Sequence, residues 1–240
     1  MRLQTALHAV FPPECLTCEA RVDTDFALCG ACWIETPFIT GAICQLCGVG
    51  LPGADEEEDL HCDDCRSIAR PWHRGRAVFS YAGNARSMVL ALKHGDRPAI
   101  ARAAGGWLAR AAAPLVTPQT VIVPIPLHWM RLAKRRYNQS ALLAQALGRA
   151  IEIPVLPDAI QRHVATASLD GLDREARFKM VSDCIRPHPR HSVDLVGKDV
   201  ILVDDVMTSG ATFAAATEAC RQAGAITTCV IALARVAKDA

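Results

Sequence analysis

With 240 residues, 51% hydrophobic and 21% charged, the chain is long enough for one ordinary globular domain and a smaller module beside it. Its 26 Lys and Arg nearly balance its 25 Asp and Glu, so no bulk charge draws it to nucleic acid or an anionic membrane. No apolar run approaches the roughly 18 residues of a membrane-spanning helix, so no membrane insertion is expected.

The opening, MRLQTALHAV, places Leu3, Leu7 and Val10 on one face of a short docking helix. Gln4, Thr5 and His8 interrupt the apolar core that a signal peptide needs, which points to a cytoplasmic chain. Eight of the eleven cysteines follow as four C-x-x-C pairs: Cys15/Cys18, Cys29/Cys32, Cys44/Cys47 and Cys62/Cys65. Each pair offers two thiolates to one tetrahedral ion, and two pairs close a four-thiolate zinc site. The sequential pairing gives Cys15, Cys18, Cys29 and Cys32 one zinc and Cys44, Cys47, Cys62 and Cys65 another, with interleaved pairing left open. Zinc would supply the folding energy that a region with few apolar runs lacks, on the order of 10 kcal/mol per site. Disulfides belong to oxidising compartments, and a redox C-x-x-C opens a single helix rather than recurring four times. The acidic GADEEEDLH between Cys47 and Cys62 reads as a solvated loop, and His61 and His73 find no ligand vacancy. Cys184, Cys220 and Cys229 stand alone and read as small apolar core residues. The change of pattern across RSIARPWHRGR sets a boundary between a zinc module at 1–72 and a second domain at 73–240.

In that second domain strands and helices alternate. RAVFSY, TVIVPIP, DVILV and ITTCVIALARV read as strands. NARSMVLALKHG (with Gly95 near its C-cap), RPAIARAAGGWLARAAA, NQSALLAQALGRAIE and GATFAAATEACRQAG read as helices. This order predicts an α/β fold with a mostly parallel sheet and helices on both faces. Ligands in such folds bind beyond the carboxyl ends of the strands.

Two junctions carry chemistry. In DVILVDDVMTSGAT a strand delivers Asp204 and Asp205 to the sheet edge, and Thr208, Ser209, Gly210, Ala211 and Thr212 turn into a helix. Free N–H groups at a helix start, with hydroxyls and a glycine, make an anion cradle. Carboxylates beside it suit a diol, because they only accept hydrogen bonds. Phosphate and diol one sugar apart describe a ribose 5-phosphate. In VPIPLHWMRLAKRRYNQS a strand ends at Pro126, and His128, Arg131, Lys134, Arg135 and Arg136 precede Asn138 and Gln139 at the next helix start. Cations beside a sugar-phosphate site suit a diphosphate.

The stretch VILVDDVMTSGAT resembles the phosphoribosyl-diphosphate (PRPP) motif of type I phosphoribosyltransferases. The whole chain resembles the ComF family, a double zinc ribbon ahead of a phosphoribosyltransferase domain. The family's VPVPLH…R…RGFNQ pattern is met by Pro124, Pro126, Leu127, His128, Arg131, Arg135, Tyr137, Asn138 and Gln139, and its LKY.G segment by Lys93 and Gly95. The resemblance implies PRPP held with Mg²⁺: Asp204 and Asp205 on the ribose hydroxyls, residues 208–212 on the 5-phosphate, and Lys93, Arg131 and Arg135 on the diphosphate. It implies phosphoribosyl transfer to a nitrogen acceptor and a link to DNA uptake in natural competence. The alternative is a non-catalytic PRPP-sensing or assembly protein whose zinc module docks a DNA-uptake helicase or single-stranded DNA. The chain departs from the family at Arg136, where glycine is usual. In the segment 162–181 it keeps Arg162, Thr166, Leu172 and Arg177 but has Leu169 for glutamine and Met180 for asparagine. Thr208 stands where purine-salvage enzymes carry an aspartate proposed as a base, and a threonine cannot take a proton at neutral pH.

Overall fold

The computed structural model describes His8 and residues 11–53, 59–94, 97–164 and 183–237, without the side chains of Arg131, Lys134 and Arg135. The expected docking helix, Gly95, most of the acidic loop and Thr166, Leu169, Leu172, Arg177 and Met180 lie outside these residues.

Two short helices, α1 (Gly30–Glu35) and α2 (Asp63–Ser67), belong to the cysteine region. Beyond it run β1 (Arg74–Ser80), α3 (Gly83–His94), α4 (Ala99–Ala112), β2 (Thr120–Pro124), α5 (Trp129–Arg135) and α6 (Gln139–Ile151). A two-stranded antiparallel pair follows, β3 (Ile160–Arg162) with β4 (Ile185–Pro187). The chain then forms β5 (Asp199–Met207), α7 (Ala211–Gln222) and β6 (Thr227–Arg235).

The main sheet has the order β1-β6-β5-β2 and is parallel throughout. Apolar residues alternate across it, as the two-residue period of a strand requires. Ile201, Val203, Ile231 and Leu233 pack with Met88, Leu92, Leu108, Leu143 and Leu147 from α3, α4 and α6. Val200, Leu202, Val230 and Ala232 pack on the other face with Phe213, Ala216 and Cys220 from α7. The expected α/β architecture, helices on both faces, is what forms.

Both sheet edges are covered. Residues 37–39 lie along β1, with Ile39 N–H donating to Val78 O and Ser80 N–H to Pro37 O. Residues 154–156 lie along β2. Covered edges leave no row of free backbone groups for another strand.

β5 runs four residues further than DVILV suggests. β2 stops at Pro124 beside Val203, while β5 continues through Asp204 to Met207 because β6 still pairs with it, Met207 opposite Arg235. The acids therefore lie on a paired strand beyond the end of its other neighbour, on the rim of the sheet.

Candidate functional site

The zinc centres are the most local feature. The four Sγ atoms of Cys15, Cys18, Cys29 and Cys32 lie within 4.8 Å of one another, as do those of Cys44, Cys47, Cys62 and Cys65. All eleven cysteines are free thiols. The pairing is sequential, which spacing alone had left open. Cys18 and Cys29 Sγ are 3.7 Å apart, and Cys47 and Cys62 Sγ 3.6 Å. Tetrahedral zinc with Zn–S bonds of about 2.3 Å needs sulfurs about 3.8 Å apart, so both sets fit zinc. Backbone N–H groups already point at the sulfurs, Cys29 N–H to Cys15 Sγ and Cys32 N–H to Cys29 Sγ. Among the other cysteines, Cys184 and Cys220 are buried and Cys229 is half-buried. Burial pushes the Cys220 thiol up to about 12, which leaves it inert.

The two centres sit differently. Cys18 is exposed, whereas Cys44 and Cys47 are fully buried and join Trp72 and Phe213 in the core beneath α7. The backbone of the second ribbon meets β1 directly: Gly75 N–H donates to Gln45 O, and Arg76 Nη2 donates to Gln45 Oε1 at 2.7 Å. A methyl group on Gly75 would strike Leu46 O and lie 3.1 Å from Cys47 Cα, so only glycine permits this approach.

At the sheet rim, Asp204 Oδ1 accepts the Ser140 hydroxyl at 2.7 Å and the N–H of Asp205 at 2.9 Å. Asp205 Oδ1 lies 3.3 Å from Lys93 Nζ. Burial, and then the charge of Asp205, push the Asp204 carboxyl up to about 7, against the opposing pull of Ser140 and Lys93. Ser140 is placed by a cap. Asn138 accepts the Ser140 N–H at 3.0 Å and donates through Nδ2 to Ile125 O at 3.0 Å, tying the start of α6 to the exit of β2. Tyr137 donates its hydroxyl to Leu92 O at 2.8 Å, which brings the end of α3, and with it Lys93, to the same rim.

Beyond Met207 the chain turns. Thr208 is exposed, Ser209 and Thr212 are half-buried, and Gly210 and Ala211 are buried. Ala211 offers only its N–H, which bonds to Ser209 Oγ at 3.4 Å. Gly210 has φ +84°, the left-handed region, and a methyl there would lie 2.9 Å from both Arg70 Nη1 and Trp72 Cη2. Backbone conformation and what packs behind the loop both require glycine at this position.

Helix α5 carries Arg131 and Arg135 from the end of β2, and their side chains lie outside the described residues. His128 is buried and caps α5, accepting from the Met130 N–H, so it serves structure. Arg136 adopts φ +66° at the end of α5 and donates its N–H to Leu132 O. Glycine suits that left-handed stop, and arginine holds it at a cost of roughly 1–2 kcal/mol. The structure places Asp204, Asp205 and Lys93 together and adds Ser140, Arg70, Trp72 and Arg235, which sequence reasoning did not name. Ser140 had a signal, standing two residues after an Asn cap; the other three had none.

The parallel sheet, the acids on its rim and the two four-cysteine sites define an α/β protein with a double zinc ribbon. Comparison with known proteins agrees. Residues 6–66 match the double zinc ribbon domain. The DNA utilization protein YhgH of Shigella flexneri is 30% identical over 227 residues, 86% of this chain and 97% of that protein. The competence protein ComFC of Bacillus subtilis (strain 168) is 26% identical over 219 residues, 82% of this chain and 84% of the relative. The chain belongs to the ComF family. Among solved structures, the glutamine PRPP amidotransferase from B. subtilis complexed with ADP and GMP overlays 60% of this chain and 30% of its own, at 19% identity and TM-score 0.40. That likeness is too loose to add to the assignment. Among the described residues no helix is long and apolar enough to cross a membrane.

Proposed function

We propose that this protein binds PRPP with its Mg²⁺ at the rim formed by β5 and the 208–212 loop, within a domain spanning 73–240 and preceded by a zinc module at 1–72. The observation that carries this reading is the placement of Asp204 and Asp205 near the end of β5, separated by two residues from a loop whose N–H groups open a twelve-residue helix. Asp204 and Asp205 accept the ribose hydroxyls, and the 5-phosphate takes Thr208, Ser209, Gly210, the Ala211 N–H and Thr212. Lys93 moves from Asp205 toward the diphosphate, joined by Arg131 and Arg135. Mg²⁺ enters as part of the ligand and keeps several waters.

Phosphoribosyl transfer follows as the activity of this site. A nitrogen nucleophile forms a bond to the anomeric carbon, the bond to the diphosphate oxygen breaks with its electron pair, and the nitrogen loses a proton. Positioning and charge stabilisation do most of the work in such a displacement. The exposed Thr208 hydroxyl supplies no base, so the acceptor must arrive with a labile proton or lose it to solvent. The same observation favours a second reading, a PRPP-sensing or assembly protein whose zinc module docks a DNA-uptake helicase or single-stranded DNA. The names of the relatives, DNA utilization and competence, accord with a role in DNA uptake under either reading.

Titration calorimetry with PRPP and Mg²⁺ tests the shared part. Saturable, Mg²⁺-dependent binding lost in Asp205→Asn is expected, and a folded, zinc-loaded sample that takes up no PRPP would refute it. Diphosphate release on adding nucleobases or amines separates the enzyme from the sensor.

A further inference from the structure

Two arginines from opposite ends of the fold converge on the back of the 208–212 loop. Arg70, from the linker after the second zinc ribbon, donates through Nη1 to Ser209 O at 2.7 Å and through Nε to Cys65 Sγ at 3.4 Å. Its guanidinium lies 5.4 Å over the Trp72 ring. Arg235, the last residue of β6 and only 3% exposed, donates through Nη1 to Met207 O at 3.2 Å and Thr208 O at 2.7 Å, and to Val236 O. Three consecutive loop carbonyls are therefore held by guanidinium groups.

In a trans peptide the carbonyl and the following N–H point in opposite directions, and the chain has no cis bonds among the described residues. Holding the carbonyls of 207, 208 and 209 to the rear turns the N–H groups of Thr208, Ser209 and Gly210 to the front. None of the described residues accepts from those three N–H groups. Neither arginine forms an ion pair with a carboxylate among the described residues. Arg70 Nη2 and Arg235 Nε are buried without a hydrogen-bond partner. A buried, unsatisfied guanidinium nitrogen is costly, and here it accompanies an orientation dictated by the loop.

We propose that Arg70 and Arg235 are positioning residues that preset the loop's N–H groups for an anionic ligand, and that Arg70 makes the second zinc centre a structural part of this cradle. This rests on the reading of the loop as a PRPP 5-phosphate site. A donor at the Cys65 sulfur, which would bind zinc, and another at the loop carbonyl belong to one rigid planar group, so the loop would inherit the rigidity of the zinc site.

The test uses the full chain with both zincs. Arg70→Met is expected to weaken PRPP·Mg²⁺ about 10–100-fold, the range for losing a charge-assisted hydrogen bond, with two zincs retained. Arg70→Lys should recover part of that loss, since an ammonium reaches one of the two acceptors. Backbone amide order parameters of residues 208–210 in ligand-free protein should fall in Arg70→Met and in Arg235→Lys, a readout that needs no PRPP. Wild-type affinity together with wild-type order parameters in Arg70→Met would overturn the inference and leave the PRPP reading intact. Loss of the second zinc to the same degree in Arg70→Met and Arg70→Lys would also overturn it, in favour of a role confined to Cys65. If the wild-type protein binds no PRPP, the PRPP reading fails, while lowered order in the variants still supports the pinning and unchanged order refutes it.

Discussion

The two zinc ribbons share ligand set, knuckle spacing and sulfur geometry, yet they hold different stakes in the molecule. The first leaves Cys18 exposed and meets the larger domain through Leu16, Phe38 and their apolar neighbours on the α3/α4 side of the sheet. The second is buried among Trp72, Phe213 and the residues of β5 and β6, and one arginine connects its Cys65 to the 208–212 loop. The first reaches the sheet domain's core only through apolar side chains beside its ligands, so its loss should do local damage. The second places its ligands Cys44, Cys47 and Cys65 in that core, so its loss should not stay local.

The largest effects should come from the thiolates. Cys65→Ser is expected to abolish the second zinc and, with it, binding free energy on the order of 10 kcal/mol, leaving little folded protein by circular dichroism. Cys18→Ser should lower zinc to one per chain while the sheet domain still melts cooperatively and binds PRPP within about 3-fold of wild type. Equal damage from the two would erase the distinction between the ribbons.

Next come the aromatic contacts. Trp72 is 3% exposed, donates to Leu46 O and lies edge-on to Phe213 at 6.2 Å, so Trp72→Ala should cost about 3–5 kcal/mol and also weaken PRPP. Phe38 packs on Phe79 at 4.9 Å and Trp107 at 5.9 Å, and Phe38→Ala should cost a comparable amount by denaturant unfolding without touching affinity.

Gly210→Ala sharpens the comparison at the loop. The left-handed backbone alone makes alanine cost about 1–2 kcal/mol, and the methyl also meets Arg70 and Trp72. PRPP affinity should fall at least 10-fold with both zincs in place.

The last expected effect is a pH dependence. Because Asp204 is pushed up to about 7 from an unfolded value near 4, the folded protein holds a proton that the unfolded chain has released. Ligand-free stability therefore falls as pH rises from about 4 to about 7 and then levels. Asp204→Asn should flatten that slope in urea titrations. Carboxylate-dependent PRPP binding should strengthen over the same rise, releasing protons measurable by calorimetry in buffers of different ionisation heat.

Much of this was readable before any fold was built, for reasons that differ by element. The four strands of the main sheet and the four longer helices followed from two- and 3.6-residue apolar periods, with ends moved by a few residues. The short elements β3, β4, α1, α2 and α5 carry too little period to be read, and the extension of β5 through Asp204–Met207 depends on β6 pairing with it. The acids and the loop were legible because their chemistry is contiguous. Arg136, where the resembled family has glycine, occupies a left-handed position.

By itself the sequence determined which chemistry is local: thiolates in pairs, adjacent carboxylates at a strand end, a small-residue turn before a helix. Tertiary structure decided what those pieces touch. Ser140 meets Asp204 across 64 residues, and Arg70 meets Ser209 across 139. No period or spacing encodes such contacts, because they exist only once a parallel sheet brings its strand ends to one rim and a buried zinc ribbon closes over the helix beside them.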